Sequence, residues 1–211
     1  MGKKIIIVFD LDGVLCDTIQ VVRENLSDIY HGFTEETHKE LMSGNSHEEI
    51  KKVTLPKKEE TEAETTDRRF KFEKRKSEAP LYPGAQEFLK ELHAAGYTLV
   101  LNTSAWDRTS RPLLERVGIT NLFDFIATAE TSKSKVEKFK IIAKKYAVQN
   151  DELLFITDTM GDIREADEAG VPTIAVTWGG HDRDYLTREK HENMVAMVDS
   201  FKELKTLIVA N

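Results

Sequence analysis

The feature that most constrains the fold is a short apolar segment at residues 5–9, which ends at two acidic residues. Its length and its β-branched composition predict a strand buried on both faces of a parallel sheet. Asp10 and Asp12 follow the strand, and Gly13 lets the chain turn away at once. Open α/β sheets bind ligands at the carboxyl ends of their strands. The turn is therefore the predicted position of a functional site.

Two other interpretations of the acid pair compete with a functional site. A calcium loop would continue with oxygen ligands at alternate positions, but Val14, Leu15 and Cys16 follow instead. A turn in which both carboxylates only cap backbone groups stays open on this segment alone. Residues elsewhere in the chain are needed to distinguish that turn from a functional site.

Composition limits the class of protein. The chain has 211 residues and a net charge of −7, which argues against nucleic acid and anionic membranes as default partners. Its length allows one α/β core with a smaller insert. The chain has one cysteine, Cys16, which excludes an intramolecular disulfide and is interpreted as a small core residue. No targeting or membrane segment is predicted, and a cytoplasmic location is expected.

Strands alternate with helices from residue 81 onward. This alternation predicts right-handed crossovers and a parallel sheet with helices on both faces, which is an α/β fold. Further strands are predicted at residues 97–101, 123–127, 153–156 and 172–176, and a closing helix at 201–208.

Three of the predicted strands end in polar side chains that complement one another. These residues are Asp10 and Asp12, Thr103 and Ser104, and Asp158 and Asp162. Parallel strands bring their carboxyl ends to one edge of the sheet, and we therefore expect these groups to converge. Several carboxylates without a cation would repel one another, which favours a divalent metal. All-oxygen donors suit Mg²⁺ better than zinc.

Four motifs in the chain resemble those of the haloacid-dehalogenase-like hydrolases, most of which are phosphatases. The first is Asp-Leu-Asp-Gly-Val-Leu-Cys-Asp-Thr at residues 10–18, and the second is the hydroxyl residue Thr103. The third is a lysine before a helix, for which Lys135 is preferred and Lys133 is held in reserve. The fourth is Thr-Asp-Thr-Met-Gly-Asp at residues 157–162, where Thr157 replaces the frequent glycine.

The resemblance implies a role for each acid. Asp10 is the nucleophile that forms an aspartyl-phosphate, and Asp12 is the general acid and base. Mg²⁺ is held by Asp10, the backbone carbonyl of Asp12, and Asp158. Asp162 steadies either the metal or the lysine of the third motif.

The phosphoryl oxygens are assigned to three other residues by the same resemblance. Thr103, the backbone N–H of Ser104, and Lys135 hold them as charge spreads over the group. The second acid, Asp12, is absent from the dehalogenases of this family, which argues against carbon–halogen hydrolysis.

The resemblance implies a three-layer Rossmann-like core at residues 1–16 and 81–211, with a small helical cap at 17–80 like that of the phosphoglycolate-phosphatase-like subgroup.

Residues 51–78 are dominated by charged side chains, and the first interpretation is a solvated helical face or a mobile loop. The second is a lid that offers a cation to an anionic substrate. Its candidate cations are Arg68, Arg69, Lys71, Lys74, Arg75 and Lys76.

These expectations describe a Mg²⁺-dependent phosphatase that acts on a small phosphorylated metabolite, as a monomer or a homodimer. A phosphotransferase such as a sugar-phosphate mutase and a non-catalytic regulatory binding protein are kept as alternatives. Trp106 and Trp178 are interpreted as core or rim aromatics. His181 is interpreted as a surface loop residue.

Overall fold

The computed structural model describes residues 5–209, and its six strands form one parallel sheet in the order β3-β2-β1-β4-β5-β6. The strands are β1 (Ile6–Phe9), β2 (Thr98–Asn102), β3 (Phe125–Ala127), β4 (Leu153–Thr157), β5 (Thr173–Val176) and β6 (Met194–Val198). The predicted α/β fold with a parallel sheet is confirmed. β6 is an edge strand that the sequence prediction did not include. Residues 1–4 and 210–211 of the predicted core lie outside the described residues.

Ten α-helices connect and cover the strands within residues 5–209. They are α1 (Ile19–Ile29), α2 (Glu35–Leu41), α3 (Ser46–Lys52), α4 (Glu62–Ser77), α5 (Ala85–Ala94), α6 (Asp107–Arg116), α7 (Lys135–Tyr146), α8 (Met160–Ala169), α9 (Arg183–Leu186) and α10 (Phe201–Val209). None of these helices combines the length and apolar character that crossing a membrane requires.

The two faces of the sheet bury different apolar clusters, because successive side chains of a strand point in opposite directions. On β1, Ile7 and Phe9 join a cluster with residues of α5, α6 and α10. Ile6 and Val8 join a second cluster with residues of α7 and α8. The sheet is therefore the middle of three layers, as expected. Cys16 is fully buried in the first cluster, and burial raises the pKa of its thiol.

Helices α1–α4 all lie between β1 and α5, and the first three, with their connecting turns, share a small apolar cluster of their own. Its buried members are Tyr30, Phe33 and Leu41. The second part of the charged segment forms α4, a helix of 16 residues whose one buried side chain is Lys76. Thr61 caps this helix, because its hydroxyl accepts from the Glu64 N–H at 3.2 Å. The division of the chain into a core and a cap at 17–80 stays a prediction.

Candidate active site

A buried lysine lies between two carboxylates at the carboxyl edge of the sheet. Lys135, in the first turn of α7, has its Nζ 3.1 Å from Asp10 Oδ2 and 2.6 Å from Asp162 Oδ2. Its side chain is 1% exposed. Burial opposes the positive charge, but the two carboxylates raise the pKa of Lys135 above its ordinary value. The ammonium is thus held charged inside the protein by its partners.

The two acids beside this lysine differ in their electrostatics. Burial raises the pKa of Asp10 well above its usual range, and Lys135 offsets only part of this effect. Burial acts on Asp162 in the same direction, but Lys135 holds the pKa of that carboxyl below its ordinary value, assisted by the Thr157 hydroxyl. Thr157 Oγ1 donates to Asp162 Oδ2 at 2.7 Å. The threonine that replaces the family's glycine therefore contributes a hydrogen bond to the acid.

Asp12 is held by two donors, one on each carboxylate oxygen. Thr18 Oγ1 donates to Oδ1 at 2.6 Å, and Lys76 Nζ donates to Oδ2 at 2.8 Å. Thr18 precedes α1 but makes no side-chain capping bond there, because its hydroxyl is directed to Asp12. The orientation of the Asp12 carboxylate thus depends on the last turn of α4.

The structure separates the six candidate lid cations. Lys76 pairs with Asp12, and Arg69 lines the cavity above the acids without an ion pair among residues 5–209. Three others form ion pairs with acidic residues other than Asp10 and Asp12. These pairs are Arg68 with Glu60, Lys71 with Asp67, and Arg75 with Glu24. Lys74 is exposed. Of the six cations, Lys76 and Arg69 are therefore the two that remain candidates for the lid interpretation.

Thr103 and Ser104 follow β2 and line the same cavity as Asp10 and Asp12. The Thr103 hydroxyl accepts from the Ala105 N–H at 3.0 Å. The Thr103 carbonyl accepts from Lys138 Nζ at 2.6 Å. Lys138 is fully buried, and burial, with the charge of Lys135 nearby, lowers its pKa to about 7. A second buried lysine thus holds the backbone of this loop.

The reserve lysine lies elsewhere. Lys133 is exposed, and its Nζ lies 5.7 Å from the centre of the Trp106 ring. Its carbonyl accepts from Asn45 Nδ2 at 2.9 Å. Of the two candidates, Lys135 is the one that the structure places beside Asp10.

Asp158 is the acid whose surroundings fit a metal ion best. It is fully buried, and burial raises its pKa to about 7. Its Oδ2 accepts from the Gly180 N–H at 2.6 Å, whereas its buried Oδ1 has no hydrogen-bond partner among residues 5–209. A Cβ at Gly13 would overlap Oδ2, which places this carboxylate against the turn after Asp12. An orphaned carboxylate oxygen beside other oxygen donors fits a hard divalent cation.

No group of three or more His, Cys, Asp or Glu side chains in residues 5–209 is arranged to hold a metal by itself. The predicted set is compatible with this finding, because it takes two carboxylates and one backbone carbonyl, and Mg²⁺ in proteins keeps several waters. The side chain of Asp162 already binds Lys135 and Thr157. This arrangement favours the second of its two predicted roles, which is to steady the lysine.

The turn between α2 and α3 packs directly on the first turn of α8. The Gly161 N–H donates to the Met42 carbonyl at 3.0 Å, and a Cβ at Gly161 would overlap the backbone of Gly44. Asn45 Nδ2 donates to Glu165 Oε1 at 3.0 Å. The helices between β1 and α5 thus cover the carboxyl edge of the sheet.

The interpretation of His181 as a surface residue is wrong. The ring is fully buried and stacks on Tyr185. Its Nδ1 accepts from the Met160 N–H at 2.9 Å, and its Nε2 lies 2.9 Å from the Lys39 carbonyl. The backbone of α2 covers the ring, and a sequence contains no local sign of that contact.

Three supporting residues were missed at the sequence level, namely Thr18, Lys138 and Glu165. Glu165 Oε1 accepts from the backbone N–H of Lys135 at 2.8 Å and thereby fixes the start of α7. One signal for Lys138 was available, because a residue three positions after Lys135 lies on the same face of a helix.

Comparisons with known proteins identify the family of this chain. Residues 7–176 match the family model described as haloacid dehalogenase-like hydrolase. The chain belongs to the haloacid dehalogenase-like hydrolases. It is an enzyme of the phosphatase class, a phosphoric monoester hydrolase, as its named relatives support. These relatives favour an enzyme over the alternative of a non-catalytic binding protein.

Two curated relatives illustrate the similarity. The chain is 27% identical to the pyrophosphatase PpaX of Oceanobacillus iheyensis, over 96% of this chain and 95% of the relative. It is 30% identical to the phosphoglycolate phosphatase of Pseudomonas fluorescens, over 59% of this chain and 46% of the relative. A crystal structure of a predicted phosphatase from Clostridium acetobutylicum superposes with a TM-score of 0.76 at 21% identity, covering 100% of both chains. This last match shows the fold alone.

Proposed function

We propose that this chain is a Mg²⁺-dependent phosphatase that hydrolyses a small phosphorylated metabolite through an aspartyl-phosphate on Asp10. The observation that carries the proposal is the pairing of Asp10 with the buried Lys135 at the floor of a cavity that Asp12 also lines. A carboxylate nucleophile, a second carboxyl group and a fixed cation are the groups that transfer of a phosphoryl group to an acid requires.

Asp10 is the nucleophile in this proposal. Its Oδ1 accepts from the Leu11 N–H at 2.8 Å, and its Oδ2 faces Lys135. These contacts fix the carboxylate so that an oxygen can attack phosphorus from the cavity. The bond from phosphorus to the substrate oxygen breaks as the bond to Asp10 forms, and water later cleaves the aspartyl-phosphate to release inorganic phosphate.

Asp12 moves the protons. It gives a proton to the leaving oxygen in the first step and takes one from the attacking water in the second. Thr18 and Lys76 hold its two oxygens, which fixes the direction in which the carboxyl group faces the substrate. Because Asp12 lies only two residues after the nucleophile, it can act in both half-reactions from one position.

The remaining groups bind the phosphoryl oxygens and the metal. Thr103, the Ser104 N–H and Lys135 are proposed to bind the phosphoryl oxygens. Asp10, the Asp12 carbonyl and Asp158 would hold Mg²⁺. When bound, the ion supplies positive charge that offsets the repulsion between the carboxylate and the phosphate.

The direct test is the release of phosphate from p-nitrophenyl phosphate with added Mg²⁺. Asp10→Asn should lower kcat by roughly 10⁴-fold, since it removes the nucleophile. Asp17→Asn is the matched control, because Asp17 is exposed and lies outside the cavity. Full activity of Asp10→Asn would refute the assignment of the nucleophile.

The same assay tests the metal and the acceptor. A chelator should abolish turnover, and added Mg²⁺ should restore it. Single-turnover release of inorganic phosphate, rather than return of the phosphoryl group to a second substrate molecule, separates a phosphatase from a phosphotransferase. Inorganic pyrophosphate belongs in the panel, because the relative that matches nearly the whole chain is named a pyrophosphatase.

A further inference from the structure

The cavity above Asp10 and Asp12 has a mainly apolar wall. Its volume is about 230 Å³. The helices between β1 and α5, with the loop after β2, supply the apolar side chains. These are Ile19, Val22, Leu41, Met42, Phe72 and Trp106. Such a wall removes apolar surface of a bound molecule from water, which is worth about fourfold in affinity per methylene group.

Several polar groups of the same wall are already engaged by the protein. Thr109 Oγ1 donates to the Trp106 carbonyl at 2.9 Å, and Glu73 Oε1 accepts from Arg108 at 3.1 Å. Lys76 binds Asp12. His38 is buried, and burial lowers its pKa to about 4, so that near pH 7 its ring adds no charge to the wall but keeps one donor and one acceptor nitrogen.

Arg69, Ser46 and the His38 ring also line the cavity, so a polyhydroxylated leaving group would find few partners beyond these three. Each sugar hydroxyl that loses water without gaining a hydrogen bond weakens binding about 5- to 150-fold. A ring without hydroxyl groups avoids that loss and gains contact with Phe72 and Trp106. The cavity is also smaller than the roughly 300–1,000 Å³ of sites for drug-sized ligands. The phosphoryl group and a single ring would fill it.

We propose that the leaving alcohol of the substrate is compact and predominantly apolar, a short alkyl group or one ring, rather than a polyhydroxylated sugar. This inference rests on the proposed phosphatase function and adds the class of leaving group to it. The specificity-determining side chains are those of the apolar wall, and Phe72 is the largest one that α4 contributes.

The test compares two phosphomonoesters of matched shape. Cyclohexylmethyl phosphate and glucose 6-phosphate each carry the phosphate on the oxygen of a CH2 group that is attached to a six-membered ring. The value of kcat/KM should be about 100-fold higher for cyclohexylmethyl phosphate. The hydroxyl groups of glucose make its alkoxide the better leaving group, so this chemical bias works against the expected result. An equal or higher kcat/KM for glucose 6-phosphate would overturn the inference.

A pair of variants on α4 assigns the preference to the wall. Phe72→Ala should lower kcat/KM for cyclohexylmethyl phosphate about tenfold, with a smaller effect on glucose 6-phosphate. Phe70→Ala is the matched control, because Phe70 lies on the same helix and is 66% exposed. Equal effects of Phe72→Ala on both esters would show that the wall does not select the leaving group.

Acetyl phosphate separates failure of this inference from failure of the proposed function. Its leaving group is too small to need the apolar wall, and its hydrolysis reports the phosphoryl-transfer chemistry. If it is hydrolysed while glucose 6-phosphate is preferred over cyclohexylmethyl phosphate, the inference fails and the proposed function stands. If none of the three compounds is hydrolysed, both proposals fail.

Discussion

Helices α7 and α4 are both rich in lysine, but they bury different shares of it, two of the five lysines of α7 and one of the three of α4. On α7, Lys135 and Lys138 are buried at the carboxyl edge of the sheet. On α4, Lys71 and Lys74 are exposed, and only Lys76 at the end of the helix is buried. The buried ones contact a carboxylate or a carbonyl of the site. The distance of a lysine from the strand ends, rather than the lysine content of its helix, thus decides what it does.

The largest expected effect comes from Lys135. Lys135→Met leaves Asp10 and Asp162 buried together without a cation, which should lower the free energy of unfolding by about 3–5 kcal/mol. Phosphatase activity should fall below detection. Urea denaturation followed by circular dichroism measures the first effect. Lys140→Met is the control on the same helix, because Lys140 is exposed and pairs with Glu137. A loss below about 1 kcal/mol would contradict the role of the buried pair.

Lys138 should make stability depend on pH. Its pKa is about 7 in the folded protein against an ordinary 10.5. Between these values the unfolded chain binds a proton that the folded protein does not, and stability therefore rises with pH. The free energy of unfolding of the wild type minus that of Lys138→Met should rise by on the order of 1 kcal/mol per pH unit above about pH 7.

Urea titrations across this pH range measure that difference. Below about pH 6 it should be constant, because Lys138 is then charged in both states. Lys144→Met provides the control, since Lys144 is exposed on the same helix. A flat difference for Lys138→Met would mean that Lys138 stays charged when buried.

Lys76 tests whether α4 contributes to the chemistry. Lys76→Met frees one oxygen of Asp12, and the resulting misorientation should lower kcat/KM for p-nitrophenyl phosphate about 10- to 100-fold. Lys74→Met, two positions earlier and exposed, should leave kcat/KM unchanged. Equal kinetics for the two variants would remove α4 from the catalytic arrangement.

The smallest effect is expected from Lys71, which pairs with Asp67 one turn earlier on the surface of α4. Lys71→Met should change the free energy of unfolding by less than about 0.5 kcal/mol, because water screens exposed pairs. A double-mutant cycle with Asp67→Asn measures the coupling. A coupling above about 1 kcal/mol would show that an exposed lysine can contribute as much as a buried one, and that burial does not explain the difference between the lysines of the two helices.

Part of this molecule could be predicted from its sequence because burial leaves a local pattern. Apolar runs identified β1 to β5, and polar residues after three of them indicated the edge where Asp10 and Thr103 now lie in one cavity. Residues 194–198 are also an apolar run and could have indicated β6. That strand lies at the edge of the sheet, where Val195 is 63% exposed.

Other features depend on contacts between distant segments. Lys76 was one of six equivalent candidates until its position 2.8 Å from Asp12, 64 residues away in sequence, distinguished it. For Lys138 the sequence offered its spacing from Lys135 on the helix, but not its contact with the Thr103 carbonyl. His181 is buried by the backbone of α2, and no local pattern reports such a contact. A sequence indicates which faces are apolar, but not which charged side chain a neighbouring helix covers.

The burial of Cys16 has a practical consequence for following α4 in solution. It is the chain's single cysteine, it is closed to solvent, and burial keeps its thiol protonated. A cysteine introduced at an exposed site such as Phe70→Cys would therefore be the one thiol available to a maleimide dye. The wild-type sequence already serves as a background for site-specific fluorescent labelling, with Trp106 as an intrinsic reference in the cavity wall.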